Sequence, residues 1–111
     1  LAMNKDEAEA YAYYGYAIFA ARGVPAIEES RAQLKIAIEK NPKLDIVYEF
    51  LGKMARVEGN TTLALTQLKK ALELNAKNRE AERELRFIQT QAAKGKEKDA
   101  GGGLLGKFLK R

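Results

Sequence analysis

A repeated arrangement of small and large apolar residues is the feature that most constrains the fold of this chain. In its clearest copy the pattern reads Tyr48-x2-Leu51-Gly52-x2-Ala55, then Gly59, then Ala64-x3-Leu68-x2-Ala71. Leu34 and Ala37 precede Leu68 and Ala71 by 34 residues, so the second half of the pattern occurs twice at a fixed distance. A period of this size indicates supersecondary units that stack and share one core.

Helix breakers divide the chain into five helices. Gly and Pro end a helix cheaply or cannot continue one, and they stand at Gly23-Val24-Pro25, Asn41-Pro42 and Gly59-Asn60. Between them the apolar residues recur at helical spacing. The expected helices are about Lys5–Arg22, about Ala26–Lys40, about Leu44–Glu58, about Thr61–Asn75, and a fifth from after Asn78 to about Lys94.

The repeated unit resembles a tetratricopeptide repeat (TPR), whose pattern is W-x2-L-G-x2-Y, then A-x3-F, then P. The stretch Tyr11-x2-Tyr14-Gly15-x2-Ile18 resembles the same opening, and Pro42 takes the closing proline's place. The resemblance implies an all-α fold, an α-solenoid fragment of two helix-turn-helix units and a C-terminal capping helix. Residues 4–94 would form this domain, with repeats at about 5–42 and 44–76 and the cap at about 79–94. The rival interpretation is an unrelated five-helix bundle.

The first repeat departs from the second by three residues. Gly15 and Gly52 are 37 residues apart, whereas Ala37 and Ala71 are 34 apart. The extra residues must lie between Gly15 and Leu34, most simply in the turn that contains Pro25. The change lengthens a turn without breaking the pairing of the helices.

The small residues predict how the helices pack. Gly15 and Gly52 have no β-carbon, so the partner helix can approach closely. Two repeats cannot cover their own apolar face, so the fifth helix is expected to close the core. Its inner stripe would be Ala81, Leu85 and Ile88, and its outer side Arg79, Glu82 and Arg86. Core positions are also expected for Tyr11, Tyr14 and Ile18.

The resemblance to TPR proteins also implies a binding surface, on the first helix of each unit. Projected onto this chain, that surface has Ile46 near one end and Ala12 on its wall. Its partner-binding residues would be Tyr16, Phe19, Glu49, Lys53, Arg56, Arg83 and Phe87. Aromatic side chains would contact apolar groups of a peptide or protein, and the basic residues would hold carboxylates.

Two alternatives accompany this surface. Tyr13, Tyr16 and Phe19 could equally belong to the core or contact an upstream element, and Lys53 and Arg56 could be solvated charges. TPR domains that hold a chaperone's terminal carboxylate use Lys and Asn on the first helix, where this chain has Ala12 and Tyr16. The ligand is therefore expected to be chosen mainly by apolar contacts.

The net charge of +5 belongs to the C-terminal tail. Residues 1–93 contain 14 Lys/Arg and 13 Asp/Glu, whereas residues 94–111 contain six and two. Residues 95–111 are expected to be a flexible, basic, Gly-rich tail. Within it Leu104, Leu105, Phe108 and Leu109 share one face of a short helix, so a membrane contact through residues 104–111 is an alternative. Nucleic-acid binding is not expected, because Phe108 is the only aromatic residue in this tail.

Composition excludes most enzyme classes. The chain has no His and no Cys, and Ser30 is its only serine, so nucleophilic triads are not available. No metal-ligand spacing and no phosphate-binding glycine loop occurs, and no cofactor is expected. The chain is predicted to be a non-enzymatic scaffold or adaptor in the cytoplasm. The arrangement of repeats, cap and tail resembles the C-terminal region of bacterial multidomain TPR proteins, and self-assembly through the solenoid ends into a homo-oligomer is a further alternative.

Overall fold

The fold is all-α throughout the part of the chain that the computed structural model describes, residues 4–93. No strand occurs in this range. The helices are α1 (Asn4–Arg22), α2 (Ile27–Lys40), α3 (Asp45–Glu58), α4 (Thr61–Leu74) and α5, which begins at residue 79 and continues to 93. The expected amphipathic segment at 104–111 and the tail at 95–111 lie outside the described residues.

The helix ends lie within one or two residues of those expected, and their causes are local. Gly23 and Gly59 both have positive φ, of 75° and 89°, which a residue with a β-carbon rarely adopts. Gly59 follows the last turn of α3 and donates its N–H to the carbonyl of Arg56. Asn60 caps α4, because its Oδ1 accepts the N–H of Leu63 at 3.1 Å.

The first four helices form two antiparallel pairs. In the first pair Glu7, near the start of α1, forms an ion pair of 3.3 Å with Lys40 at the end of α2. Arg22 and Glu29 are paired at the opposite end. The second pair is also antiparallel, because Asp45 at the start of α3 accepts a 3.1 Å hydrogen bond from Asn75, just beyond the end of α4.

Each pair is closest at its glycine, as the sequence predicts. A β-carbon on Gly15 would lie 2.9 Å from the carbonyl oxygen of Ser30, and one on Gly52 would lie 2.6 Å from the side chain of Leu68. The Ser30 hydroxyl also donates a hydrogen bond to the carbonyl of Gly15. A larger residue at either position would push the two helices apart.

The backbone itself repeats after 34 residues at the turns that follow α2 and α4. Asn41 and Asn75 have nearly equal backbone angles, φ/ψ of −151°/93° and −150°/96°. Their side-chain oxygens accept the N–H of Lys43 at 3.1 Å and of Lys77 at 3.0 Å. The N–H groups of Leu44 and Asn78 donate to the carbonyls of Asn41 and Asn75 at 3.2 and 3.0 Å, so α5 follows its turn as α3 follows the first one.

Most of the three-residue insertion lies in the first connection. Four residues separate α1 from α2, with Val24–Ala26 in a short 3-10 helix, whereas two separate α3 from α4. The remaining residue lengthens α1, which continues seven residues past Gly15, while α3 continues six past Gly52. Proline suits the start of such a helical turn because it needs no N–H donor there.

Two buried clusters make up the core, and α5 closes the second, as expected. The first joins both pairs and the second joins α3, α4 and α5. Buried members of the first are Ala8, Ala12, Phe19, Ile27, Leu34, Ala37, Leu44, Val47, Phe50 and Met54. Those of the second are Ala55, Ala64, Leu68, Ala71, Ala81 and Ile88, with Leu85 packed against them. Arg79, Glu82 and Arg86 are exposed, as predicted.

The expected core position of Tyr14 is wrong. Its side chain is 57% exposed, and Tyr11 and Ile18 are half-buried. The residue at the equivalent place in α3 is Leu51, which packs against the first cluster. Tyr14 is exposed because no helix pair precedes α1 within the described residues. No helix in this part of the chain is both long and apolar enough to cross a membrane.

Candidate partner-binding surface

Helices α1, α3 and α5 lie side by side and point in the same direction. Tyr16 of α1 stacks on Phe50 of α3 with ring centroids 4.4 Å apart and planes 15° from parallel. Contacts between α3 and α5 advance together along both helices, from Glu49 with Asn78 to Arg56 with Glu84. The surface that these three helices share is the one on which the sequence places the partner-binding residues.

Two cation–aromatic pairs lie on this surface. The Lys53 ammonium is 5.7 Å from the centre of the Tyr16 ring, and the Arg56 guanidinium is 5.1 Å from that of Phe87. Each pair joins neighbouring helices, the first α1 to α3 and the second α3 to α5. Such contacts are attractive because the ring face is electron-rich.

Carboxylates neutralise the same cations. Lys53 Nζ lies 3.0 Å from Glu49 and 3.5 Å from Glu80, and Glu80 also accepts a 2.8 Å hydrogen bond from Arg83. Arg56 forms an ion pair with Glu84, whose side chain is largely buried. Lys53 and Arg56 are therefore paired within the chain and half-buried, whereas the Arg83 side chain stays 72% exposed.

The environment of Lys53 shifts its pKa. Burial lowers the pKa, but the hydrogen bond to Glu49 and the negative charges of Glu49 and Glu80 outweigh burial, so the pKa lies above its ordinary value. Lys53 is consequently a fully charged ammonium across the physiological range. Its charge holds the buried Glu49 carboxylate, which is only 5% exposed.

Asn78 joins α3 to α5 by hydrogen bonds. Its Nδ2 donates to Asp45 at 2.7 Å and to Glu49 at 3.1 Å, while its Oδ1 accepts the N–H of Ala81 at 2.9 Å and caps α5. The sequence predicts that a helix begins after Asn78, but it does not predict the partners of this side chain or the ion pairs of Glu80 and Glu84 with α3. A signal was present, because Lys53 to Glu80 and Arg56 to Glu84 are separated by almost equal distances along the chain, 27 and 28 residues.

The seven sequence-predicted residues form two groups of contacts, one around Lys53 and one around Arg56, and their exposure differs. Phe19, in contact with Tyr16 at 6.2 Å between ring centroids, is buried, and Glu49 is buried too. Ala12, expected on the wall, is completely buried. Tyr16, Lys53 and Arg56 are half-buried, whereas Arg83 and Phe87 are exposed. The accessible part of the set is therefore concentrated on α5.

A cleft of about 520 Å³ opens beside Phe87. It lies between the end of α3, the start of α4 and the last described turns of α5. The residues that line it are Arg56, Thr61, Phe87, Ile88, Gln91 and Ala92. Its lining combines apolar side chains with a few polar groups, which is typical of sites that orient a ligand side chain.

No group of three or more metal-binding side chains occurs among the described residues. The carboxylates along the contact between α3 and α5 are bonded to Lys53, Arg56 or Asn78.

No protein-family model, no curated protein and no solved structure matches this chain.

Proposed function

We propose that the two helix pairs are tetratricopeptide repeats and that the chain is a protein–protein interaction module. What supports the repeat assignment is the agreement between sequence and backbone. Both pairs approach closely at a glycine, Gly15 and Gly52, and the turns at Asn41 and Asn75 repeat after 34 residues. Because α5 follows the turn at Asn75 as α3 follows the turn at Asn41, it lies where a third repeat would start, and it covers the second core cluster.

The observation that carries the proposed function is the position of Phe87. Its ring is 47% exposed although it lies over the Arg56 guanidinium and at the mouth of the cleft. Large aromatic side chains with an arginine beside them are the residues that dominate binding energy in protein interfaces. The exposed residues that precede Phe87 in α5 are all charged.

The ligand that fits this surface is a peptide segment with one apolar side chain and one carboxylate. The apolar side chain would enter the cleft beside Phe87 and Ile88. The carboxylate would contact Arg83, because the Arg83 side chain is 72% exposed beside its surface partner Glu80. The side chains of Lys53 and Arg56 are only 18% and 37% exposed. Affinity would come mainly from the apolar contact, with the charge selecting orientation.

A random peptide library displayed on phage tests the proposal. We expect enrichment of peptides that combine an apolar and an acidic residue, and NMR shift changes on the labelled protein at Arg56, Phe87 and Gln91. Phe87→Ala should weaken the selected peptide about tenfold or more. Val57→Ala is the matched control, since Val57 is a 49% exposed apolar residue of α3 that does not line the cleft.

Arg83→Glu should weaken the same peptide while leaving the helical circular dichroism unchanged, because Arg83 is exposed and its ion pair with Glu80 is at the surface. Reversing Lys53 and Arg56 would be a poor test, since both residues fasten α5 to α3. A library that yields no enriched peptide, or shift changes confined to helices other than α3, α4 and α5, would refute the proposal.

A further inference from the structure

The outer side of α1 is uncharged over three turns. Every residue from Ala10 to Ala21 is uncharged, although much of this stretch faces solvent. Tyr13 and Tyr14 are 56% and 57% exposed. The exposed members of the stretch are Ala10, Tyr13, Tyr14, Ala17, Ala20 and Ala21. A helix that is apolar on all sides is typical of one that is buried on all sides.

The exposed residues follow the spacing of a helix–helix seam. Ala10, Tyr14, Ala17 and Ala21 are separated by four, three and four residues, which places them in one line along α1. We call this line the α1 seam. A shallow apolar depression of about 220 Å³ lies on it, lined by Ala10, Tyr11 and Tyr14. The seam therefore has both a projecting ring and a recess.

The equivalent positions of α3 show how such a seam packs when a helix pair precedes it. Ala10, Tyr14 and Ala17 are matched 37 positions later, in α3, by residues that pack against the preceding helix pair: Val47, Leu51 and Met54. Val47 and Met54 are completely buried there. The same positions on α1 have no such cover within the described residues.

We propose that a second copy of this chain covers the α1 seam, with the two α1 helices antiparallel. In this arrangement Tyr14 lies opposite the partner's Ala17, and Ala10 lies opposite the partner's Ala21. Each layer then joins a large residue to a small one or two small ones, so the seam is complementary to itself.

Charge selects the antiparallel direction. Glu7 lies three residues before Ala10, on the line of the α1 seam, and Arg22 follows Ala21; they are seven residues before and eight residues after Tyr14. Both side chains are about half exposed, 55% in each case. Antiparallel packing brings Glu7 near the partner's Arg22 at both ends of the interface, whereas parallel packing would bring Glu7 near the partner's Glu7.

Head-to-tail stacking of the two solenoid ends fits less well. It would set the uncharged seam against the outer side of α5, where Arg79, Glu82 and Arg86 are exposed. Burying these charges against tyrosine and alanine would remove them from water, and the ion pair between Glu82 and Arg86 would offset only part of that cost. The small residues of the seam give a limited interface, so the self-association is weak, with a dissociation constant between about 1 μM and 1 mM.

Sedimentation equilibrium of the whole chain measures this directly. We expect a monomer–dimer equilibrium for the wild type and a dissociation constant raised about tenfold or more by Ala17→Glu, which puts a charge into the seam. Ala32→Glu, the same change at an exposed position of α2, should leave the equilibrium unchanged. A wild-type chain that stays monomeric up to about 1 mM overturns the proposal and leaves the seam to a different occupant.

A charge exchange separates the interface from the rest of the fold. Glu7→Arg and Arg22→Glu each break an ion pair within the chain, with Lys40 and Glu29 respectively. In the double variant the residues at 7 and 22 again have opposite charges across the interface between copies. The two ion pairs within the chain remain broken. We expect each single variant to weaken the dimer several-fold and the double variant to recover it; no recovery overturns the antiparallel interface.

The direction can also be read by cross-linking, because the chain contains no cysteine of its own. Under oxidising conditions a mixture of Ala10→Cys and Ala21→Cys chains should form disulfide-linked dimers, since the two positions face each other across the antiparallel seam. Either variant alone should form few. Efficient dimers of Ala10→Cys alone would show parallel helices and overturn the arrangement. The peptide-binding surface lies on α5, so this test and the peptide test fail independently.

Discussion

Asn78 uses both halves of its carboxamide, and each half serves a different helix. The oxygen caps α5 and the nitrogen donates to two carboxylates of α3, Asp45 and Glu49. Glu49 is buried, so the hydrogen bond from Asn78 and the ammonium of Lys53 are what make its burial tolerable. One side chain thus fixes both where α5 begins and where it sits.

Replacing Asn78 tests these two roles separately. Asn78→Ala removes the cap and the donor and should lower the free energy of unfolding by about 1–3 kcal/mol. Asn78→Asp keeps a capping oxygen but places a third negative charge beside Asp45 and Glu49. We expect Asn78→Asp to be at least as destabilising as Asn78→Ala at pH 7, measured by urea unfolding.

The control for this prediction is Asn75→Ala. Asn75 also donates to Asp45, at 3.1 Å, but it is exposed, so its loss should cost less than that of Asn78. If Asn78→Asp were as stable as the wild type, the cap alone would explain the position of α5, and the donor role would be refuted.

Single residues also show what the sequence could reveal at this scale. Gly15 and Gly52 were predicted as points of close approach because absence of a β-carbon has one common use in a helix interior. Asn78 was not predicted, because its partners lie 29 and 33 residues away and spacing alone does not give the register between parallel helices. The chemistry of a residue is local, whereas its partner is decided by packing.

At the scale of the elements, α5 is joined to α3 by apolar and polar contacts together. Ala81 and Ile88 are buried in the second cluster, and the ion pairs of Lys53 and Arg56 lie along the seam above them. The ion pairs are partly shielded from solvent, which makes them stronger than ordinary surface pairs. The helix is therefore fastened along its described length.

The raised pKa of Lys53 gives this joint a pH dependence. A group whose pKa is higher in the folded state stabilises the fold fully below its unfolded pKa, about 10.4 for lysine, and loses that contribution as the pH rises through the folded value. Burial alone would lower the pKa of Lys53, but Glu49 and Glu80 raise it further. The contribution of the Lys53 charge to the joint should therefore be lost in alkali.

Lys53→Met measures this contribution. The variant keeps the aliphatic chain and removes the charge, so it should be less stable than the wild type at pH 8. The difference in free energy of unfolding should then shrink as the pH rises above about 10.4. A difference that stays constant from pH 8 to pH 11.5 would contradict the assigned role of Lys53.

The bounds of the helices were predicted more completely than the exposure of their side chains. Helix bounds follow from Gly, Pro and Asn at the breaks, which act within a few residues. The exposure of Tyr14 did not follow, because the same repeat position is covered in α3 and uncovered in α1. A periodic sequence states which face of a helix is made for packing, but not whether a neighbour is present.

At the scale of the whole molecule, the first cluster unites the two helix pairs. It contains Phe19 and Leu34 from the first pair and Val47 and Phe50 from the second. Arg31 of α2 and Glu58 of α3 add an ion pair between them. Repeat arrays gain stability from such interfaces between neighbours, and so short an array is expected to unfold as one unit.

Phe50→Leu tests this cooperativity. Phe50 is 5% exposed and stacks on Tyr16, so the change removes an aromatic contact between the pairs at a cost of about 1–2 kcal/mol. If the pairs unfold together, the slowest amides of α2 and α4 should both exchange about 5–30 times faster in the variant. Neither helix carries the substituted residue, so a shared response must pass through the interface. Val57→Ala, at an exposed position of the same helix, should change neither rate, and acceleration of α4 without α2 would show that the pairs are independent folding units.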